Sequence, residues 1–293
     1  MRITNYGEGH KSKDITPPYP QVVQPIITQH MRANLTRSRR LGDIIMTFPL
    51  VNYLYKNGYE ITYLSSPQYS EIFEYTCVPI QRHNIGTRTQ KADINVKLDR
   101  GIYDTTISKV ENFFKMAEIN NASEQDKIPR IKVDEIPIDN NVIAMSLWAY
   151  DKNSTRSYDI GNMKDIFNNF GDYEFVALDK EARHCDITSN VNDMTGKTHS
   201  LRELIEQISR ARLVISVDTG ILHLASAMGK PSISIFGPTD PVFVAKHYPT
   251  VAIDAGYLNR KSNPLRKSLG VDIFNMYIDT QIDQFMVVPH ETI

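Results

Sequence analysis

The chain has 293 residues, with 33 Lys and Arg against 34 Asp and Glu, for a net charge of −1. That balance is unlike the strongly basic footprint of most nucleic-acid binders and unlike an acidic disordered chain. Its 41% hydrophobic and 23% charged residues are ordinary for a folded protein, and its length predicts two domains, each with a core. No apolar run approaches the roughly eighteen residues of a membrane span, and the N-terminus lacks the apolar core of a signal peptide, so a cytoplasmic location is expected. Cys77 and Cys185 stand far apart and are expected to be reduced. CxxC, HExxH and metal-spaced acidic clusters are missing from the sequence, so no metal or other cofactor is expected.

Along the chain, a polar, Pro-rich lead over residues 1–20 precedes a predicted strand, Val22 to Thr28, ending near His30. From there to Gly42, MRANLTRSRRL reads as a long basic loop from which Arg32, Arg37, Arg39 and Arg40 project. Gly42-Asp43 is a turn opening the first helix. Ile61 to Leu64 and Ile94 to Leu98 read as short strands, and Arg82, His83, Arg88, Lys91 and Lys97 add positive charge to this half. A connector bracketed by Pro129 and Pro137 divides an N-terminal domain, 1–137, from a C-terminal domain, 138–278. Val142 to Leu147 is a predicted strand, Ala149 to Ser157 a polar loop, and Glu174 to Leu178 a further strand after a helix. Leu213 to Val217 is the next buried strand. Asp218-Thr219-Gly220 turns the chain into a helix, Ile221 to Met228, stopped by Gly229-Lys230-Pro231 before the strand Ser232 to Phe236. The last segment, 279–293, is expected to hold a helix over about Asp279 to Val288 that packs back on the first domain. The pattern supports a doubly wound α/β fold, with ligand crevices at the carboxyl ends of its strands.

A strand running through Asp-Thr-Gly into a helix aims backbone N–H groups and a positive helix end at its ligand, which suits a pyrophosphate. His223, about one helical turn past Gly220, can reach the same anion. An ordinary βαβ crossover with a surface histidine fits a lone DTG equally well. Asp43 at a helix start reads either as an N-cap or as a general base. The arginines beside it are either solvated charges or a grip on an anionic acceptor, because a guanidinium fork suits phosphate or carboxylate better than a neutral sugar.

The longer string resolves part of this. Asp218, Thr219, Gly220, His223, Ala225, Ala227, Gly229 and Pro231, followed by Phe236-Gly237-Pro238-Thr239-Asp240-Pro241, closely resemble the donor-site signature of glycosyltransferase family 9, the heptosyltransferases of lipopolysaccharide inner core. Thr195 to Leu204 matches the approach to that strand, and Leu41-Gly42-Asp43-Ile44-Ile45-Met46-Thr47-Phe48-Pro49 resembles the family's first turn. The resemblance implies a GT-B fold, two Rossmann-like domains across a cleft, with Asp43 as the base on the acceptor hydroxyl. It also implies a donor site on Asp218, Thr219, Gly220 and His223, with Arg156 (Lys152 its rival) on the donor phosphates. Glu181 falls where the family has an acidic residue for a ribose hydroxyl, and the loop reaching His199 lies near the nucleotide.

The resulting expectation is an inverting, metal-independent transferase that uses a nucleotide-diphosphate sugar. Its acceptor is anionic and bound by Arg37, Arg39 and Arg40. Two acceptors satisfy this, lipopolysaccharide core and hydroxymethylated cytosine in phage-type DNA, whose base must be flipped out to react. A phage-encoded chain would act in its host's cytoplasm. The alternative is a non-catalytic nucleotide-sugar-binding, or nucleotide-sugar-processing, GT-B protein, and Asp43 discriminates between the two readings.

Overall fold

The computed structural model describes residues 31–101, 103–149, 156–185, 187–254, 275, 277–278 and 282–289. The polar lead, the strand expected at Val22 to Thr28 and Lys152 lie outside the described residues.

In the first half, strands β1 (Met31–Thr36), β2 (Tyr59–Ser65), β3 (Gln81–Asn84) and β4 (Ile94–Lys97) form a parallel sheet in the order β3-β2-β1-β4. Its helices are α1 (Leu41–Ile45), α2 (Phe48–Lys56) and α3 (Lys109–Met116). The long basic loop expected before Gly42 is therefore corrected: most of it is a central strand. Ala33 and Leu35 are buried in β1, and buried Asn34 breaks the apolar pattern while staying satisfied. Its amide donates to Thr89 Oγ1, Gln90 O and Asn95 Oδ1 at 2.9–3.1 Å. Arg32 lies in the strand and pairs with Glu60 at 3.4 Å. Only Arg37 to Arg40 remain as the connection to α1.

The second half is a seven-stranded parallel sheet. Its strands are β5 (Asp139–Ser146), β6 (Glu174–Ala177), β7 (Val191–Asp193), β8 (Ala211–Val217), β9 (Ser232–Phe236), β10 (Thr250–Asp254) and β11 (Met286–Pro289), in the order β11-β10-β9-β8-β5-β6-β7. Helices α4 (Lys164–Asn169), α5 (Leu201–Arg210), α6 (Gly220–Ala227) and α7 (Pro241–Ala245) accompany it. Strand β9 is buried throughout and β8 nearly so, as a parallel sheet covered on both faces requires. The helix expected over 279–288 is corrected at its end. Met286–Pro289, with its β-branched valines, pairs in parallel with β10 and extends the second sheet.

The halves share an apolar cluster that runs from Leu35, Ile44 and Phe48 to Leu222, Leu224 and Phe236. Polar contacts frame it. The Glu71 carboxylate accepts from the first amides of α5, Leu201 N at 3.1 Å and Arg202 N at 3.0 Å. Ser108 Oγ caps α3 and also lies 2.9 Å from His247 Nε2, while Lys246 reaches Glu111 at 2.8 Å. Burial raises the Glu111 carboxyl, but hydrogen bonds from Lys246 and from the Ser108 backbone outweigh it and bring the group from its ordinary 4.5 to about 2. Its stabilising contribution is complete above pH 4.5 and is lost as the pH falls through about 2. Glu111→Gln is therefore expected to cost about 1–2 kcal/mol at pH 7 after allowance for solvent screening. Urea unfolding should show the difference from wild type shrinking to less than half by pH 3.

Candidate active site

The two motif turns meet at the junction of the sheets. Chain leaving the carboxyl end of β1 enters α1 through Arg40, whose φ of 65° places it in the left-handed region. Such strain persists where surroundings over-determine it, often at sites of function. Chain leaving β8 enters α6 through Asp218 and Thr219. Thr219 is the N-cap and makes no side-chain cap bond, so its hydroxyl does not compete for the first amides of the helix.

Asp43 is buried in the first turn of α1, whose N-cap is Arg40. One carboxylate oxygen accepts from Arg37 and the other from the ammonium of Lys109, the first residue of α3. Burial alone would raise its pKa. The charges of Lys109 and Arg37 and their hydrogen bonds overcome this and hold it below the ordinary 3.8, so Asp43 is an ionised acceptor at neutral pH. Arg37 does not project toward solvent as the sequence suggested. It is buried and donates to Leu98 O at 2.8 Å and Tyr103 Oη at 3.1 Å, with Asp99 at 3.5 Å. Arg39 and Arg40 are exposed.

On the other side, Arg156 reaches back over Asp218, with Nη1 3.2 Å from both its carboxylate and its backbone oxygen. His223 Nε2 lies 3.6 Å from the other Asp218 oxygen, and Nδ1 lies 2.5 Å from Tyr248 Oη. Burial lifts the Tyr248 phenol well above 10.0, so a neutral hydroxyl faces Nδ1 while Nε2 is turned toward Asp218. Burial opposes ionisation of Asp218, but hydrogen bonding and charge from His223, then Arg156, hold its carboxyl far below the usual range. His223 is therefore a buried link rather than a surface histidine.

That link crosses the junction. An added Cβ on Gly42 would meet His223 Cδ2 at 2.1 Å, so the imidazole packs directly against the turn that carries Asp43. A Cβ on Gly220 would stand 3.8 Å from Leu41. Arg37, Lys109, Asp43, His223, Asp218 and Arg156 thus form a chain of charged and polar groups from one half to the other.

Glu181 and His199 lie on loops following β6 and β7, at the carboxyl side of the sheet. Glu181 is half exposed and 3.5 Å from Arg183; exposed His199 donates its backbone N–H to Glu203 at 2.7 Å. Neither contacts the Asp218 cluster in the described geometry. Lys109 and Tyr248 are the site residues that the motifs missed. For Lys109 a signal exists: Ser108-Lys109-Val110-Glu111 is a capping box that starts α3 and puts Lys109 in its first turn. Elsewhere among the described residues, Glu111, Glu124 and His247 bring ligand-type atoms within 4.8 Å of one another, but Lys127 and Lys246 already sit on those carboxylates.

Two parallel α/β sheets, with the turns that follow β1 and β8 packed together, form a GT-B-type fold. Residues 171–267 match the family model described as glycosyltransferase family 9 (heptosyltransferase). Lipopolysaccharide heptosyltransferase 1 of Salmonella typhimurium is 48% identical over 42 residues, 14% of this chain and 13% of that protein. Lipopolysaccharide heptosyltransferase 3 of Escherichia coli is 40% identical over 70 residues, 24% of this chain and 20% of its own length. These sequence matches thus span a fifth or less of the curated relatives. The fold match is wider. A family 9 glycosyltransferase from Veillonella parvula superposes with a TM-score of 0.64 at 14% identity, covering 86% of this chain and 97% of its own. The E. coli heptosyltransferase WaaC, solved with ADP, gives 0.59 at 14% identity, covering 85% and 97%. The likeness to family 9 therefore holds in sequence across much of the second half and in fold across both halves. Among the described residues no helix is long and apolar enough to cross a membrane.

Proposed function

We propose that the chain is an inverting glycosyltransferase that moves a sugar from a nucleotide-diphosphate donor to a hydroxyl of an anionic acceptor, an acidic sugar of lipopolysaccharide inner core. The observation that carries this is the convergence of an ionised, buried Asp43 with the Asp218–His223–Arg156 cluster at one junction. Asp43 takes the acceptor proton as the acceptor oxygen attacks the anomeric carbon. The leaving diphosphate departs toward the start of α6, where Arg156 offsets its charge. With a carboxylate base and a guanidinium for the leaving group, the step needs no resident metal. The relatives, all lipopolysaccharide or lipooligosaccharide heptosyltransferases, favour a core glycan and a heptose-type donor. The case for a DNA acceptor rested on the basic loop before Gly42. With Arg32 in a strand and Arg37 buried, that case weakens to Arg39 and Arg40.

The test is nucleoside-diphosphate release from a panel of nucleotide sugars, with acid-sugar core acceptors, hydroxymethylcytosine DNA and unmodified DNA. Release only with the glycan supports the proposal, and release only with hydroxymethylated DNA replaces the acceptor. Release with no acceptor overturns transfer. His223→Ala is expected to raise the donor KM about tenfold by freeing Asp218 and Tyr248 from their shared partner, a loss of about 1–2 kcal/mol. An unchanged donor KM would remove His223 from the donor side.

A further inference from the structure

Both oxygens of Asp43 are occupied, by Arg37 on one and Lys109 on the other. Each oxygen thus already carries a charge-assisted hydrogen bond that weakens the carboxylate as a base, and an acceptor hydroxyl must compete with one of the two cations for it. The two cations are held differently. Arg37 is anchored by a carbonyl, a phenol and a second carboxylate, Asp99, and its planar fork is built into the wall behind the base. Lys109 is a point charge on a flexible stem, and besides Asp43 it makes, among the described residues, a cation–π approach of 5.8 Å to the Tyr103 ring. Lys109 is the cation that can leave.

The partly buried Lys109 ammonium does not leave an anion without finding another, because an unpaired charge held away from water is costly. The structure assigns Lys109 as a placeholder on the base, drawn off Asp43 by a carboxylate or phosphate of the acceptor next to the attacking hydroxyl. This rests on the transferase reading given above and adds a specificity-determining, positioning residue to it. With the anionic acceptor bound, Lys109 pairs with the acceptor's charge and one Asp43 oxygen is uncovered. The acceptor O–H then gives its proton to that oxygen, the acceptor oxygen forms the bond to the anomeric carbon, and the carbon–oxygen bond to the diphosphate breaks with its electron pair. Without such an acceptor Lys109 stays in place, and water, which carries no charge to displace it, finds the base covered. The same contact would thus select anionic acceptors and protect the donor from hydrolysis.

The experiment compares wild type with Lys109→Met and Lys109→Gln, using an acid-sugar acceptor and its neutral methyl ester. Thermal melting and donor Kd confirm that each variant is folded, and two substitutions guard against a packing failure of either one. Wild type is expected to prefer the acid over the ester by at least about thirtyfold in kcat/KM. Both variants should narrow that preference to about threefold or less, and acceptor-free release of nucleoside diphosphate should rise about tenfold. A merely structural lysine would lower activity toward both acceptors equally. An unchanged acid-to-ester ratio together with unchanged hydrolysis overturns the placeholder role and leaves the transferase reading intact. Failure of wild type to transfer to any acceptor overturns that reading and the placeholder with it.

Discussion

Asp43→Asn is expected to reduce transfer by about 10²–10⁴-fold while donor Kd changes by less than about threefold. An amide cannot take a proton as the carboxylate does, and the proposed donor contacts at Asp218 and Arg156 lie across the junction from it. The substitution also leaves Arg37 and Lys109 facing each other without the carboxylate that neutralises them. Breaking a buried pair in this way costs roughly 3–5 kcal/mol, so the single variant should melt early. The double variant Asp43→Asn with Lys109→Met removes one stranded cation and should recover a large part of that stability. It should recover no transfer. This non-additivity separates a base from a structural anion: stability follows the charge count, and activity follows the carboxylate. If Asp43→Asn kept more than a tenth of wild-type transfer, the base would have to lie elsewhere. If donor Kd rose with it, Asp43 would belong to the architecture of the donor site.

Local signals explain what could be read from the sequence. The strand, turn and helix around Asp218 are contiguous, and β8 covers the apolar stretch Leu213–Val217, because a strand buried on both faces writes its burial into nearly consecutive residues. Strand β1 writes no such run. Its buried Asn34 is satisfied by Thr89, Gln90 and Asn95, partners more than fifty positions away, so the segment reads as polar loop. Likewise β11 is four residues whose pairing with β10 is invisible locally. In the site, Asp43, Asp218 and His223 were legible as motif positions. The partners that define their chemistry were not: Lys109 reaches Asp43 from 66 positions on, and Tyr248 holds His223 from 25. Arg37 was seen as a residue and misread as a free charge, because only the fold buries it beneath Tyr103 and Leu98.

Gly42→Ala, the addition of one methyl group, is expected to lower transfer about 100-fold. The glycine is needed here for close approach rather than for an unusual backbone angle. A Cβ at Gly42 would lie 2.1 Å from His223 Cδ2, 2.8 Å from Nε2 and 2.9 Å from Cγ, all inside any tolerable contact. The imidazole has nowhere to yield, since it is buried, held at Nδ1 by Tyr248 and turned at Nε2 toward Asp218. Either the ring swings and releases Asp218, or α1 shifts and carries Asp43 away from the Asp218 cluster. Overpacking of this kind costs about 1–3 kcal/mol of stability, and a displacement of about 1 Å at a reacting group can cost 10²-fold in rate. Gly220→Ala is the matched control. Its added Cβ would meet Leu41 at 3.8 Å, an ordinary van der Waals distance, so stability should stay within about 1 kcal/mol of wild type. Gly42→Ala combined with His223→Ala tests the cause, because removing the ring removes the clash. The double variant should be more stable than Gly42→Ala alone and should transfer at the rate of His223→Ala alone. If it is instead as unstable as the single Gly42 variant, the glycine is required by α1 itself, and the contact between the two turns is not what couples the base to the donor site.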